Sequence, residues 1–304
     1  MSITRNLKKA GLFTVLTYGF SYLVIDVYLG LGGKWEFPGL LVVGAAYMFV
    51  PMVMAIVVQK LVYREPVIEP LGISFKLNRW FLVAWLLPLA IVLATLGVSL
   101  LFPGVRYDPT MAALGERLRM PLTAQQLAEL KGPAGLPFHP FWIWLAGGLI
   151  GGVTVNALVG FGEELGWRGL LQRELGFLGF WKMSAAIGII WGFWHVPLIL
   201  HGQNYPQHPV AGMFMMTVWT LLLSPIFSYI RLKASSVIAA AVLHGTLNGT
   251  LGLAVVVIAG GSDLTVGATG LAGFIVLALA NVGLFLYDRA CAANPVVAQG
   301  TGDA

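Results

Sequence analysis

Residues 141–172 read FWIWLAGGLIGGVTVNALVGFGEELGWRGLLQ. No ionisable side chain occurs from Phe141 to Gly162, and then Glu163, Glu164 and Arg168 arrive within little more than one helical turn. A helix needs about 20 apolar residues to cross the hydrocarbon of a bilayer. This stretch is long enough to span, and its excess must tilt or extend beyond the hydrocarbon. It also carries carboxylates into a region where charge is costly.

The rest of the 304-residue chain has the same character. Hydrophobic residues make up 58% and charged residues only 10%, against about 25% charged in an ordinary soluble domain. Mean hydropathy is +0.83. Outward from 141–172, further apolar runs fall at 10–30, 39–62, 80–102, 183–200, 211–230, 237–259 and 267–287. The expectation is an all-α polytopic bundle of about eight transmembrane helices. It forms one integral membrane domain in three parts: three spans and a polar outer loop at 103–140, core spans at 141–260, and a last span with its tail at 261–304. An amphipathic helix is expected at 123–130, and disorder in the tail from Asn294 to Ala304. Cys291, the single cysteine, excludes an internal disulfide framework.

Arg5, Lys8 and Lys9 precede the first run, as in a secretory signal. The run is too long for a signal core and no small-residue cleavage site follows, so it reads as a retained span. Of the 18 basic residues most, among them Lys8, Arg64, Lys76, Arg173, Lys233 and Arg289, fall on one side of the alternating spans. Basic loops stay in the cytoplasm, which puts both termini there. The net charge of +5 therefore speaks of orientation, and nucleic acid is not an expected partner. A prokaryotic cell membrane is the expected location.

Three polar clusters lie inside spans: Glu163, Glu164 and Arg168; Trp191 and His195; His244 and Asn248. Glu164 and Arg168, Trp191 and His195, and His244 and Asn248 are each four apart, so each pair shares one helix face. At 1.5 Å of rise per residue, His244 lies about 16 Å from Lys233, His195 about 20 Å from Lys182, and Glu163 about 15 Å from Arg173. Three spans thus bring polar groups to one level, near the cytoplasmic side. Other polar residues read as structural: Asp26 and Asn281 near span ends, and Gly147, Gly148, Gly151 and Gly152 as points of close helix packing. His201 and His208, with two prolines in 201–210, read as a constrained turn.

A secluded carboxylate beside a histidine can hold a water and take its proton. An asparagine amide and a second histidine can donate hydrogen bonds to a developing oxyanion. These are the parts for adding water to an amide carbonyl, and the clusters hold no serine or cysteine placed as a nucleophile.

In order, Glu163-Glu164 with Arg168, an aromatic four before His195, and His244 four before Asn248 resemble the three motifs of the CPBP intramembrane proteases. That group includes the type II CAAX prenyl endopeptidases and the bacteriocin-processing or immunity proteins of the Abi group. The likeness covers about 141–255, and Trp191 stands where the family usually has phenylalanine. It implies an endopeptidase cutting peptide bonds near the cytoplasmic membrane surface, with Glu163 activating water, His195 helping to hold it, and His244 and Asn248 stabilising the oxyanion. Glu164 and Arg168 would order the site, and Trp191 would shape the pocket. The implied partners are membrane lipids and a peptide or protein substrate, lipidated or not. No cofactor is obligatory; a zinc ion, if one takes part, would fall to Glu163, His195 and His244. Two other classes share these residues: a proton- or ion-coupled transporter, since Glu and His relays mark pumps, and a non-catalytic immunity protein. No internal repeat of the kind transporters show is present.

Overall fold

The computed structural model describes residues 2–35, 39–113 and 138–297, with residues 125, 128 and 129 between them. The helix expected at 123–130 lies outside the described residues apart from those three. The long helices are α1 (Ile3–Gly30), α2 (Gly39–Ile56, continued by a π turn at Val57–Val62), α3 (Arg79–Ser99), α4 (Pro140–Gly152) and α5 (Val155–Glu164). After a π-helical stretch at Leu165–Leu171 follow α6 (Phe180–Trp194), the short α7 (Val196–Leu200), α8 (Pro209–Ala234), α9 (Val237–Thr250) and α10 (Leu271–Ala290). Two-residue strands β1 (Arg106–Tyr107) and β2 (Ile258–Ala259) pair antiparallel.

Among the described residues six helices are long and apolar enough to cross a membrane, or seven if α4 and α5 count as one broken span. The remaining expected span, 183–200, is divided into α6 and α7 and neither piece is long enough alone. The long 141–172 run neither tilts nor overshoots as one rod. It bends by 50° between α4 and α5, at Val153 and Thr154, where the first helix closes on its C-cap and the second begins.

Helix ends sort into two groups. Arg5 and Lys9 at the start of α1 reach Glu65 after α2, and Lys9 also reaches Glu174 after α5. Asn78 before α3 donates to Ala234 O at the end of α8, and Ser236 before α9 donates to Ser74 O. Lys233 lies 3.7 Å from Asp288 near the end of α10. These contacts define a basic end of the bundle. At the other end Asp108 N bonds Val257 O at 2.8 Å, Tyr205 donates to Thr269 O, and Gln207 N bonds Asp263. Cys291, exposed, lies just past α10 at the basic end.

Two expectations change. The tail does not leave α10 as a free end at Asn294: Val296 and Val297 donate their N–H groups to the buried carboxylate of Asp288. Asn281 sits midway along α10, not near its end, and its Nδ2 bonds Leu222 O on α8 and Leu277 O, both at 2.8 Å. An amide in that position joins two helices where water cannot.

Glycine brings α9 against α4 and α5. A Cβ on Gly148 would lie 2.4 Å from Gly249 O, and one on Gly152 2.4 Å from Thr246 Oγ1. Gly147 faces open space instead. The expected close packing therefore belongs to one face of the stripe.

Candidate active site

The first motif sits where α5 gives way to the π stretch. Residues 165–171 all fall in the buried interior. Such widened turns recur at functional sites. Here the turn keeps Trp167 and Arg168 over the carboxylates four positions earlier. Trp167 Nε1 donates to Glu163 Oε2 at 3.2 Å, and Arg168 donates to Glu164 Oε1 at 3.2 Å.

The second motif sits where α6 breaks. Pro197 has no N–H, so Phe193 O loses its helical partner, and a bare carbonyl in lipid is costly. Tyr22 supplies a donor to it at 3.2 Å. Tyr18 and Tyr47 do the same for Ile190 O and Trp194 O. The break thus stays packed, with His195 just beyond α6 and its Nδ1 2.8 Å from Trp191 O. Trp191 Nε1 turns the other way and donates to Glu163 Oε2 at 2.7 Å.

The third motif is on α9. His244 Nδ1 lies 2.7 Å from Glu164 Oε1, and its Nε2 is 3.8 Å from Glu163 Oε1. Gly160 on α5 allows this approach, because a Cβ there would come within 3.1 Å of His244 Cβ. Asn248 lies one turn further along α9 and is exposed.

Glu163, Glu164, Arg168, Trp191, His195 and His244 are all buried. Arg168 lies 4.6 Å from the ring centres of both Trp191 and Phe227. Its charge is compensated by Glu164 at 3.2 Å and by those ring faces. The two carboxylates therefore differ. Glu164 is bound into the Arg168–Glu164–His244 chain, whereas Glu163 has Oε2 filled by two indoles and Oε1 turned towards His244.

A cavity of about 240 Å³ brings Glu163, Trp191, His195, His244 and Asn248 onto one wall system. Behind the site Trp167 contacts Phe13 and Trp194 at ring distances of 5.7 and 5.6 Å. Below that the Lys9, Glu65 and Glu174 ion pairs close the basic end. The remaining lining includes Gly44 and Met48 in the first half of α2, Met216 in the first half of α8, and Leu198, Gln203, Asn204 and Leu251 near the opposite end. The three motifs thus meet around one cavity. The cavity extends from these groups towards the end opposite the basic one.

Residues that sequence reasoning left without a role include Trp167, Gln203 and Asn204. Trp167 could have been found by extending the four-residue spacing back to Glu163. The loop pair carried no such signal.

Among the described residues no three His, Cys, Asp or Glu side chains are grouped to hold an ion. His244 and His195 each commit Nδ1, to Glu164 and to a carbonyl, and Glu163 commits Oε2 to two indoles, so that Nε2 of each histidine and Oε1 of Glu163 carry none of these bonds.

Residues 137–250 match the model of the family described as type II CAAX prenyl endopeptidase Rce1-like. The segment is similar to that family's domain. It contains all three motifs and helices α4 to α9, with α1 to α3 and α10 packed around it. A comparison with curated proteins finds no match. The Rce1-like domain supports intramembrane endopeptidase activity in general terms, in a multi-pass membrane protein.

Proposed function

We propose that the chain hydrolyses peptide bonds within the membrane by water that Glu163 activates. The observation that carries this reading is the asymmetry of Glu163. One oxygen is immobilised by Trp167 and Trp191, and the other faces the cavity and His244. Water held at Oε1 loses its proton to Glu163 as its oxygen bonds to the scissile carbonyl carbon. His244, held as an imidazolium with its Nδ1 proton on Glu164, donates its second proton from Nε2 to the oxyanion. Asn248, one turn away on the cavity wall, adds a second donor, and His195 helps to retain the water. Glu163 then returns the proton to the leaving nitrogen as the C–N bond breaks, releasing a carboxylic acid and an amine. Preorganised donors of this kind are each worth about 10²–10³ in rate, and a positioned base about 10²–10⁴.

Basic residues favour the cytoplasm, so the sealed end lies there and substrate arrives from the opposite side of the membrane. A lipidated or unlipidated peptide is the substrate class, and no metal step is needed. The test is cleavage of a panel of internally quenched peptides, with and without a prenyl group, by purified protein in detergent. Wild type, Glu163→Gln and His244→Ala are compared, each with and without a zinc chelator. Cleavage lost in both variants and indifferent to chelator is the expected result. Activity surviving Glu163→Gln would remove this mechanism.

A further inference from the structure

A second cavity of about 200 Å³ lies at the open end of the bundle and shares two wall residues, Asn204 and Leu251, with the first. Its other walls include Gln207, Gly252, Asp263 and Thr269. The surrounding loops are tied together. Tyr205, fully buried, donates to Thr269 O at 2.6 Å. Asp263 accepts from Gln207 N at 2.6 Å, meets His208 Nδ1 at 2.6 Å, and donates its own N–H to Gln207 Oε1 at 3.1 Å. The void is therefore a built concavity between fixed loops.

Asn204 stands between the two voids with φ of 60°. Non-glycine residues in that region are uncommon, and such strain gathers where function requires a side chain in one place. The contact of its Nδ2 is the sulfur of Met216 at 3.9 Å, a weak acceptor. The amide thus retains capacity for a better partner. Asp263 is the one ionisable residue among the described lining of the second cavity. From His244 to Gly252 is eight residues of α9 and its continuation, about 12 Å. An extended peptide rising about 3.3 Å per residue covers that in three to four residues.

We propose that the second cavity is a distal subsite for the peptide substrate, three to four residues from the scissile bond. Asn204 hydrogen-bonds the peptide backbone as it passes between the cavities. Asp263 favours a neutral or basic side chain there and disfavours an acidic one. This inference rests on the endopeptidase reading and adds to it a substrate class: an extended segment, read beyond the cut.

Gly252 supplies the test, because a Cβ there would meet nothing within 4 Å and its φ is ordinary. Gly252→Phe fills the subsite, and Gly252→Ala is the control for folding. Internally quenched peptides are made in a short form and in forms four residues longer on either side, with lysine or aspartate at the distal position. Wild type and Gly252→Ala are expected to cut one longer lysine form with kcat/KM about tenfold above the short form and above the aspartate form. Gly252→Phe should erase both preferences. Equal efficiency on all forms, or a preference that survives Gly252→Phe, overturns the subsite. A benzophenone-bearing longer peptide is also crosslinked to Glu163→Gln, which requires no turnover. Labelling within 251–269 that disappears when Gly252→Phe is added is expected, and labelling elsewhere or none overturns the subsite. Labelling as expected with no cleavage by wild type would sink the endopeptidase reading and leave the binding site standing.

Discussion

Glu164 Oε1 lies 2.7 Å from the Nδ1 of His244, and that bond decides which nitrogen the imidazole shows to Glu163. An acceptor at Nδ1 fixes a proton there and leaves Nε2 to face the reacting groups. The second glutamate of the motif is thus an orienting group for a histidine on another helix. Glu164→Gln retains an acceptor for Nδ1 but removes the negative charge that holds both nitrogens of His244 protonated. A fall in kcat of about 10²–10⁴ is expected, by analogy with carboxylates that orient catalytic imidazoles. KM should change little. A matching loss in KM alone would show that Glu164 acts on binding.

Glu163→Gln keeps an oxygen that can accept from one indole, so the fold should survive while the base is lost. Cleavage should fall by about 10²–10⁴, with an unfolding midpoint in detergent close to that of wild type. Unfolding well below wild type would mean that Glu163 is structural.

Arg168 is wholly buried and pairs with Glu164. Removing one member of a buried ion pair costs about 3–5 kcal/mol, because the other is left uncompensated. Arg168→Met should therefore lower the thermal midpoint far more than Glu163→Gln does. Equal midpoints for the two variants would contradict the pairing.

Trp191→Phe keeps a ring against Arg168 and restores the residue usual in the resembling family, but it removes the 2.7 Å donor to Glu163. A hydrogen bond to a charged group is worth about 1.5–3 kcal/mol. Activity should drop at least tenfold, with Trp191→Leu worse because ring packing goes as well. Full activity in Trp191→Phe would show that Trp167 alone suffices to hold the carboxylate.

Outside the membrane spans, Glu65 is the group with a readable pH signature. Burial pushes its carboxyl up, but hydrogen bonds from Lys9 and Arg173, and their charges, outweigh this and hold it at about 2. A carboxylate with a depressed pKa stabilises the fold above its ordinary range near 4.5, and that contribution fades as pH falls towards 2. Water reaches this cluster, so its worth is about 1 kcal/mol, or about 2–4 °C in the midpoint. Glu65→Gln should lose this much at pH 7 and match wild type near pH 2. A constant difference across the range would assign the loss to packing.

Much of this site is readable from residue spacing alone. Four-residue pairs lie on one helix face whatever the tertiary structure, so Glu164 with Arg168 and His244 with Asn248 follow from periodicity. Depth counting brings the clusters level because rise per residue is nearly constant. The exchange of roles between Glu164 and His244 is not readable this way, since it depends on how close α9 comes to α5. That distance is set by Gly152, Gly160 and Gly245, and glycine stripes do not announce which of their members face a neighbour. Gly148 and Gly147 differ only in this respect. The break at Val153 and Thr154 and the π stretch after Glu164 are likewise silent, being made of ordinary helix-compatible residues.

Cys291 stands alone of its kind, exposed, at the end of the bundle that the ion pairs close. The unaltered chain therefore carries one chemical compass needle. A thiol reagent that cannot cross lipid will find it from one compartment only, the one that the ion-paired end faces.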